Sequence, residues 1–549
     1  MSRRAARSSS VYTAAGSCRP HTLQTSSMSP EDARCRLSTW RLDNGYTCLT
    51  GSRPGRCQLD TGNRELTLSA STPPQGRHLQ VYEITRRHHR APPGPQRCPL
   101  IGNLGSLIGG SPLESFAKLR STYGDVYGIY LGSKLAVVLN GYEAIHDALV
   151  KQGRQFAWRP EQPVFVALEG DVSDLVYGNG PEWKAKRVFI MNAIKELCLS
   201  RKGLELERLI LEEVNCLTER LDLLEQVNPR EILSLSLANV VYSILHGNRT
   251  EYDNEDFLKF MNSLNGVFKR YMRNQMKNNL FPFILKIPKL PFDLHGLQKI
   301  KDNVQTGKSF FAKAGQERLS NHEEGDTTCL LDYLLNNDSP VPPADFWKPH
   351  YDLMAAGSET SATTLNWLIL LLMHYPDIQE KLHQSIFEVI GHHPPSISDR
   401  NDLPYVEATI LETLRFGSNV PLSVPHSVTE DVAFRGFIIP KGTLVLPNLA
   451  SVHYDPNNFE DPLTFRPERF LSADGMAVVP SEKLIPFSLG PRACLGETLA
   501  RTELFMYTTR LVQKYTFECP DGERLPGLGG VFGLTHRPQD YNVRLVKRN

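Results

Sequence analysis

The sequence contains no apolar segment long enough to cross a lipid bilayer. Its longest purely apolar run extends only from Trp367 to Met373, whereas a membrane-spanning helix needs about 20 such residues. Its 10 cysteines include no C-x-x-C pair, and the chain has no G-x-G-x-x-G nucleotide-binding loop. The formal net charge of +1 gives no indication of nucleic-acid binding. These absences favour a globular protein of a reducing compartment, without a disulfide framework or a nucleotide site of its own.

The first 90 residues differ in composition from the rest of the chain. They contain 14 Arg, no Lys and little hydrophobic periodicity, and a segment that buries little apolar surface is predicted to stay disordered. Four of these arginines lie in the first 30 residues, which contain no acid, so a mitochondrial import segment is an alternative. We therefore predict a disordered or atypical segment over residues 1–90, without a membrane anchor, and a folded catalytic domain over 91–549.

The hydrophobic pattern of the folded part predicts a mainly α-helical domain with small β-sheets. The predicted elements, in chain order, are a helix near Phe116, two strands ending near Val138, helices over about 180–416, short strands in 426–450 with turns at Arg435-Gly436 and Lys441-Gly442, a helix over Glu497–Lys514 and a hairpin near 516–546.

Cys494 lies in the segment Phe487-Ser-Leu-Gly490-Pro-Arg492-Ala-Cys494-Leu-Gly496, directly before the last predicted helix. The positive end of a helix dipole favours a thiolate, which is the form of cysteine that ligates iron. Gly490 permits a tight turn, and Gly496 permits close approach of the backbone to a flat ligand. Arg492 can pair with an acidic group on that ligand, and Phe487 can shield the sulfur from water. A lone cysteine is more often an inert buried thiol, but five such residues together favour a ligand site.

This loop resembles the F-x-x-G-x-R-x-C-x-G loop of the cytochrome P450 superfamily at all five fixed positions. The resemblance extends over about residues 91–546. It implies the P450 fold, in which haem b lies between a long central helix and a C-terminal cysteine loop and helix, with Cys494 as the iron ligand. It also implies a monooxygenase that inserts one oxygen atom of O2 into a hydrophobic small molecule. The electrons would come from NADPH through a separate NADPH-cytochrome reductase, or from a cytochrome b-type donor.

A second motif, Ala356-Gly357-Ser-Glu359-Thr360, lies inside an apolar helix predicted over Phe346–His374. Ala356 and Gly357 are small enough for a planar cofactor to approach the helix. Thr360 can turn its hydroxyl back onto the helix backbone and open it locally. The motif resembles the family's A-G-x-[DE]-T, which implies that Thr360 and Glu359 deliver protons to bound oxygen. The alternative is that the small residues serve close helix packing.

Glu412 and Arg415 are spaced i, i+3 and therefore share one face of a predicted helix. The resemblance implies that both pair with Arg469, in Pro467-Glu-Arg469-Phe470, to form a buried structural triad. The alternative for the helical pair is an ordinary solvated salt bridge.

Trp183 and Arg187 are spaced i, i+4 on another predicted helix. The resemblance implies that both contact a haem propionate, and it suggests the same contact for His426. The alternatives are an ordinary amphipathic helix turn and an ordinary hydrogen-bonded histidine.

The details of several motifs resemble the microsomal animal branch near steroid 17-alpha-hydroxylase/17,20-lyase and the aromatic-hydrocarbon hydroxylases. The resemblance implies a steroid-like, fatty-acid or polycyclic aromatic substrate above the haem. The pocket walls would come from Ala355, Ala356, Thr360, Val420, Leu422, Val424, Val531 and Phe532, although these residues could equally be ordinary core.

The join between Arg86 and Pro95 resembles the basic, proline-rich join that precedes the catalytic domain in microsomal members. We therefore expect attachment to the cytoplasmic face of the endoplasmic reticulum membrane, with a mitochondrial or a soluble protein as alternatives. Two other functions are a peroxide isomerase or dehydratase on the same fold, and a non-enzymatic haem carrier or gas sensor. Thr360 and Glu359 argue against the first, because peroxide rearrangement needs no proton relay, and the complete O2-activating set of residues argues against the second.

Overall fold

The structure is a computed structural model, and it divides the chain into two compact units, residues 1–90 and 91–549. It describes residues 38–41, 47–50, 56–60, 65–69, 90–98, 101–107, 111–161, 175–199, 204–270, 297–320, 327–336 and 338–548.

The described strands of the first unit form an antiparallel sheet. Strands β1 (Ser38–Arg41), β2 (Thr47–Thr50), β3 (Arg56–Asp60) and β4 (Glu65–Ser69) pair in chain order. The sequence predicts a disordered or atypical segment over residues 1–90, and this stays a prediction. Short alternations such as Glu-Leu-Thr-Leu-Ser match the two-residue period of a strand, although they are too brief to stand out in a polar segment. The rest of the predicted disorder lies outside the described residues, apart from Arg90.

The second unit is built mainly from α-helices. They are α1 (Pro112–Tyr123), α2 (Gly141–His146), α3 (Gly153–Phe156), α4 (Gly180–Leu199), α5 (Leu204–Leu221), α6 (Pro229–His246), α7 (Glu255–Arg270), α8 (Leu297–Ser320), α9 (Leu330–Asn336), α10 (Trp347–His374), α11 (Pro376–Ile390), α12 (Pro404–Gly417), α13 (Ala450–His453) and α14 (Glu497–Lys514).

The described strands of this unit form three small sheets. They are β5 (Val126–Leu131), β6 (Lys134–Leu139), β7 (Gln226–Val227), β8 (His426–Ser427), β9 (Val432–Phe434), β10 (Phe437–Ile439), β11 (Leu444–Pro447), β12 (Tyr515–Glu518) and β13 (Val543–Lys547). The sheets have the orders β5-β6-β11-β8, β10-β9 and β12-β13-β7. The predicted turn at Arg435-Gly436 joins β9 to β10, and both of its residues have positive φ, as a two-residue hairpin requires.

The central helix α10 runs through the core of the second unit. It packs along α6 and against α12 and α14, and Trp367 in its C-terminal half is fully buried. Trp367 Nε1 donates a hydrogen bond to the carbonyl of His536 at 2.9 Å, so even its one polar atom is satisfied. The prediction of a mainly helical domain with small sheets is confirmed. Among the residues that the structure describes, no helix combines the length and the apolar character needed to cross a membrane.

Candidate active site

A cavity lies between α10 and the loop that carries Cys494. It holds about 290 Å³ of space for water-sized molecules. One wall is the face of α10 that carries Ala356, Gly357 and Thr360, and the opposite wall contains Phe487 and Cys494. Two motifs separated by more than 120 residues in the sequence are thereby brought to one site.

The Cys494 loop is held in a tight conformation by its backbone. The amide of Cys494 donates to the carbonyl of Phe487 at 2.9 Å. Gly490 has φ +75°, and a side chain there would collide with the carbonyl oxygen of Leu149, so only glycine fits this turn. By contrast, a Cβ at Gly496 would meet no atom within 4 Å, which leaves the backbone after Cys494 open to a flat ligand. The tight turn predicted at Gly490 is present in the structure, and the approach of a flat ligand at Gly496 stays a prediction.

The Cys494 side chain has accessible surface because it faces the cavity. The protein atoms packed around it still raise the pKa of its thiol through desolvation. The charge of Glu497 acts in the same direction, whereas a hydrogen bond from the Gly496 backbone and the charge of Arg187 lower this pKa. A bound metal cation would outweigh these effects, because a coordinating thiol is deprotonated outright.

Thr360 lies on the cavity wall and turns its hydroxyl back onto the helix, as predicted. Its Oγ1 donates to the carbonyl of Ala356 at 2.7 Å. Its own carbonyl accepts from Asn419 Nδ2 at 3.1 Å and from Thr364 Oγ1 at 3.0 Å. Side-chain donors thus bond to the carbonyl oxygens of Ala356 and Thr360 in α10. Sequence reasoning missed Asn419, because its approach depends on the packing of α12 against α10.

Glu359 does not lie on the cavity wall. Its carboxylate is buried and pairs with Arg230 of α6 at 3.2 Å. Successive residues of an α-helix are rotated by about 100°, so the residue before Thr360 faces α6 when Thr360 faces the cavity. The neighbouring Gly357 also serves this contact, since a Cβ there would lie 2.7 Å from Val241 Cγ2. Glu359 is predicted to deliver protons, but its side chain therefore does not contact the cavity.

Three arginines, Arg159, Arg187 and Arg492, line the same end of the cavity. Among the described residues, no carboxylate forms an ion pair with any of them, and Arg492 Nη1 has no hydrogen-bond partner. Burial, together with repulsion from neighbouring arginines, lowers the pKa of Arg492 to about 9. For Arg159 burial is also the main cause, and its pKa falls to about 10. Such a cluster favours a ligand that carries more than one acidic group.

The two other predicted contacts of this group lie behind the arginines. The Trp183 ring stacks against Arg492, whose Cζ lies 3.3 Å from the ring centroid. His426 Nδ1 contacts the carbonyl of Phe156 at 2.6 Å, and its Nε2 has no partner among the described residues. Burial lowers the pKa of His426 to about 3, so its ring is neutral. Neither side chain lines the cavity, and of the two only Trp183 contacts one of the arginines that do.

The predicted triad forms a buried cluster away from the cavity. Arg415 donates two hydrogen bonds of 2.7 Å to the Glu412 carboxylate, and both side chains are 0% exposed. Arg469 Nε lies 3.0 Å from the same carboxylate. Arg415 also donates to the carbonyls of His453 and Pro462. These contacts tie α12 to the segment that leads to the cysteine loop, which is a structural task.

The predicted pocket walls are only partly on the cavity. Ala356, Thr360, Val420 and Val424 line it, whereas Ala355, Leu422, Val531 and Phe532 do not. Leu422 packs instead against the cluster around β5 and β6, and Val531 forms a bridge with Arg537 at the surface.

Asp352 is a wall residue that the sequence analysis missed. Its Oδ2 accepts from the amides of Leu175 at 2.8 Å and Val176 at 3.3 Å. A single aspartate in a helix gives no sequence pattern from which such a contact could be predicted.

The donor set of the cavity fits an iron macrocycle that carries acidic groups. Cys494 supplies a sulfur ligand at one wall, and the backbone at Gly496 leaves room for a flat ring. Among the residues that the structure describes, no carboxylate neutralises the arginine end. Cys494, Arg159, Arg187 and Arg492 would hold such a group.

Comparisons with known proteins agree with this geometry. The protein-family model described as Cytochrome P450 matches residues 92–544. Cytochrome P450 2C23 of Rattus norvegicus is 36% identical over 487 residues, which cover 86% of this chain and 96% of the relative. Cytochrome P450 2B4 of Oryctolagus cuniculus is 35% identical over 488 residues, covering 84% and 95%. Cytochrome P450 2D9 of Mus musculus is 34% identical over 494 residues, covering 85% and 94%.

Proposed function

We propose a substrate class and a redox partner for this chain, which belongs to the cytochrome P450 family. It is a haem-thiolate monooxygenase, an oxidoreductase that inserts one oxygen atom of O2 into a hydrophobic molecule. The haem supplies the activation of O2, which an axial thiolate promotes. Cys494 is our assignment for that thiolate. The observation that carries it is the position of Cys494 across one cavity from Thr360, next to three arginines that form no ion pair with a carboxylate of the described residues.

The substrate in this proposal is a steroid-like or polycyclic aromatic molecule. Apolar residues of α6, α10 and the segment before β8 contribute to the wall, including Val241, Ile244, Leu353, Val420 and Val424. Pockets of this kind bind largely by apolar contact and use a few polar groups for orientation.

A binding screen tests this substrate class. Steroids and polycyclic aromatics are added to the holoprotein, and the shift of the haem spin state is measured for each compound. The proposal requires a saturable shift with members of one of these classes. A shift with fatty acids alone would contradict it.

The electron donor in this proposal is an NADPH-cytochrome reductase on a separate chain. The sequence has no G-x-G-x-x-G loop, and the family requires a redox partner. Purified protein with NADPH, O2 and substrate should form product only when the reductase is added. A peroxide isomerase or dehydratase would convert a lipid peroxide without NADPH, so this reconstitution distinguishes the two functions.

For the cellular location, we propose attachment to the cytoplasmic face of the endoplasmic reticulum membrane. The support is the resemblance of the segment Arg86 to Pro95 to the join of microsomal enzymes. Fractionation of native cells should recover the protein with microsomes. Recovery inside mitochondria with a cleaved N-terminus would contradict this location.

Replacement of Thr360 by alanine should uncouple the enzyme. The hydroxyl lies on the cavity wall and bonds to the Ala356 carbonyl, where it can hold a proton donor in the cavity. We expect NADPH consumption to continue while hydrogen peroxide rises and product falls, measured together in one reconstituted assay. Thr409→Ala is the matched control, because its hydroxyl makes the same i−4 bond at 2.7 Å in α12. Equal coupling in Thr360→Ala and wild type would contradict a role in proton delivery and leave Thr360 with a packing role only.

A further inference from the structure

The backbone of α10 at the cavity is bonded by a side chain from a separate element, and this contact has no part in the reaction as described so far. Asn419, two residues after the end of α12, donates from Nδ2 to the Thr360 carbonyl at 3.1 Å and to Thr364 Oγ1 at 2.6 Å. Thr364 Oγ1 donates to the same carbonyl at 3.0 Å. All three residues line the cavity. An amide, a hydroxyl and a carbonyl thus form a closed triangle of hydrogen bonds at its wall.

The chemistry of these three groups allows a single arrangement of their hydrogens. The Thr360 carbonyl can only accept, so both side-chain atoms that face it must be donors. Thr364 gives its one hydroxyl hydrogen to that carbonyl and therefore accepts from Asn419. The Asn419 amide must then present its NH2 group, whose two hydrogens supply the two remaining bonds. An apolar side chain or an ionised carboxylate at position 419 could make neither bond.

The backbone around Asn419 is itself fixed to other parts of the fold. The Asn419 carbonyl accepts from the amide of His536 at 2.7 Å, and the His536 carbonyl accepts from Trp367 Nε1 of α10 at 2.9 Å. A Cβ at Gly417 would lie 2.9 Å from Trp367 Cδ1, so glycine allows the end of α12 to approach α10 this closely. The segment at Asn419 is therefore tied to α10 at two levels, at Thr360 and about two turns further along at Trp367.

Asn419 lies where two walls of the cavity meet. One wall is the face of α10 that carries Thr360, and the other is the segment after Asn419, which includes Val420 and Val424. A substrate in the cavity would contact both walls, so their relative position determines which of its atoms lies nearest to Cys494. A displacement of about 1 Å in such a site can change a rate by on the order of 100-fold. The side chain that joins the two walls is therefore suited to control where the substrate is oxidised.

We propose that Asn419 is a positioning residue, which determines the oxidised atom of the substrate and the fraction of NADPH that ends in product. It acts through the Thr360 carbonyl and the Thr364 hydroxyl, by holding the α10 wall and the wall that begins at Val420 in one relative position. This proposal rests on the proposed function above and adds a determinant of its specificity. Its test therefore includes a measurement that needs neither substrate nor reductase.

A merely structural role for Asn419 predicts a different result. Loss of the amide would then lower the thermal midpoint, because buried hydrogen bonds are lost, but each folded molecule would form the same products in the same ratio. A positioning role changes the product ratio of the folded molecules at a temperature well below the midpoint. The thermal midpoint and the product ratio, measured on the same holoprotein, therefore separate the two roles.

The test compares Asn419→Leu and Thr364→Val with the wild type, each as holoprotein reconstituted with reductase. Leucine is close to asparagine in size but has no donor, and valine keeps the shape of threonine without its hydroxyl. For a substrate from the binding screen that gives more than one product, we expect Asn419→Leu to change the product ratio roughly tenfold. This change corresponds to about 1.4 kcal/mol, which is close to the net contribution of one hydrogen bond.

Two further results are expected from the same assays. The share of NADPH that ends as hydrogen peroxide should rise in Asn419→Leu, and this share is the measure when a substrate gives a single product. Thr364→Val should change both quantities in the same direction. The double variant should change them by less than the product of the two single effects, because both side chains belong to one triangle of hydrogen bonds.

Hydrogen–deuterium exchange of the substrate-free holoprotein provides the measurement that needs no turnover. Exchange reports local opening of the backbone. We expect faster exchange in Asn419→Leu over the part of α10 around Thr360 and over residues 419–424, and unchanged exchange in α1. Wild-type exchange in both of these segments would contradict the proposed link between the two walls.

Asn239→Leu is the matched control. Asn239 is fully buried in α6, its Nδ2 donates to the carbonyl of Thr250 at 2.9 Å, and it does not line the cavity. This variant should lose stability but keep the wild-type product ratio and peroxide share.

The outcomes distinguish this proposal from the proposed function. A wild-type product ratio and peroxide share in Asn419→Leu would overturn the positioning role and leave the monooxygenase function intact. If the wild type itself forms no NADPH-dependent product, the proposed function fails, and the exchange measurement still decides whether Asn419 links the two walls. If Asn419→Leu does not fold, Thr364→Val decides by the same measurements.

Discussion

Replacement of Cys494 by serine is expected to abolish NADPH-dependent product formation. The sulfur at the cavity wall is the only thiol among the described cavity residues, and a serine hydroxyl cannot supply the electron density of a thiolate to iron. The substitution is small, and the loop is held by the backbone bond from Cys494 to Phe487 and by the turn at Gly490. We therefore expect the protein to fold with its cavity intact but without activity. Circular dichroism, haem content and the reconstituted assay measure these three properties.

Cys519→Ser is the matched control for this experiment. Cys519 lies directly after β12, is only partly exposed and is not part of the cavity. This variant should keep wild-type activity. Retention of substantial activity in Cys494→Ser would contradict the assignment of the iron ligand, and equal losses in both variants would point to a general effect of removing thiols.

Arg415→Ala is expected to yield little folded, haem-loaded protein. The substitution leaves the fully buried Glu412 carboxylate without its bidentate partner and frees the carbonyls of His453 and Pro462. Breaking a buried ion pair by removing one partner costs about 3–5 kcal/mol. The whole free energy of unfolding of a domain is typically about 5–15 kcal/mol, so the loss is a large share. Denaturant unfolding and the ratio of haem to protein measure it.

Arg208→Ala controls for the loss of an arginine as such. Arg208 also pairs with a glutamate at i−3, Glu205, and with Glu212, but its side chain is 56% exposed. Exposed pairs contribute about 0.2–1 kcal/mol, so this variant should remain close to the wild type in stability. A stable, haem-loaded but inactive Arg415→Ala protein would contradict the structural role of the triad and indicate a role in the reaction.

The parts of the site that the sequence predicts are those whose residues are close together in the chain. In the cysteine loop, the turn at Gly490, the glycine at position 496 and the helix start at Glu497 lie within ten residues. Each of them follows from a local backbone requirement. The helix predicted over Glu497–Lys514 has the same bounds in the structure. Glu412 and Arg415 are likewise set by helical spacing, and Arg469 joins them through a short proline-led motif.

The parts that the sequence does not predict depend on packing between distant elements. Arg159, Asp352, Asn419 and Glu503 reach the cavity from separate elements, and none lies in a local pattern. Glu359 shows the opposite case. A motif identifies this residue in the sequence, but the packing of α10 against α6 decides which way its side chain faces.

The pocket walls and the N-terminal strands show the same limit. Leu422 and Val531 are apolar, as a pocket requires, but apolar character does not distinguish a cavity wall from a sheet core or a surface bridge. Strands β1–β4 depend on pairing with one another, which a polar sequence does not indicate.

The spectrum of the reduced protein with carbon monoxide tests the central claim most directly. The ferrous holoprotein is exposed to carbon monoxide and its Soret band is compared with that of Cys494→Ser. A thiolate from Cys494 predicts the strongly red-shifted Soret band of thiolate-ligated haem in the wild type and its loss in the variant. A wild-type band at the position typical of histidine-ligated haem would contradict the account.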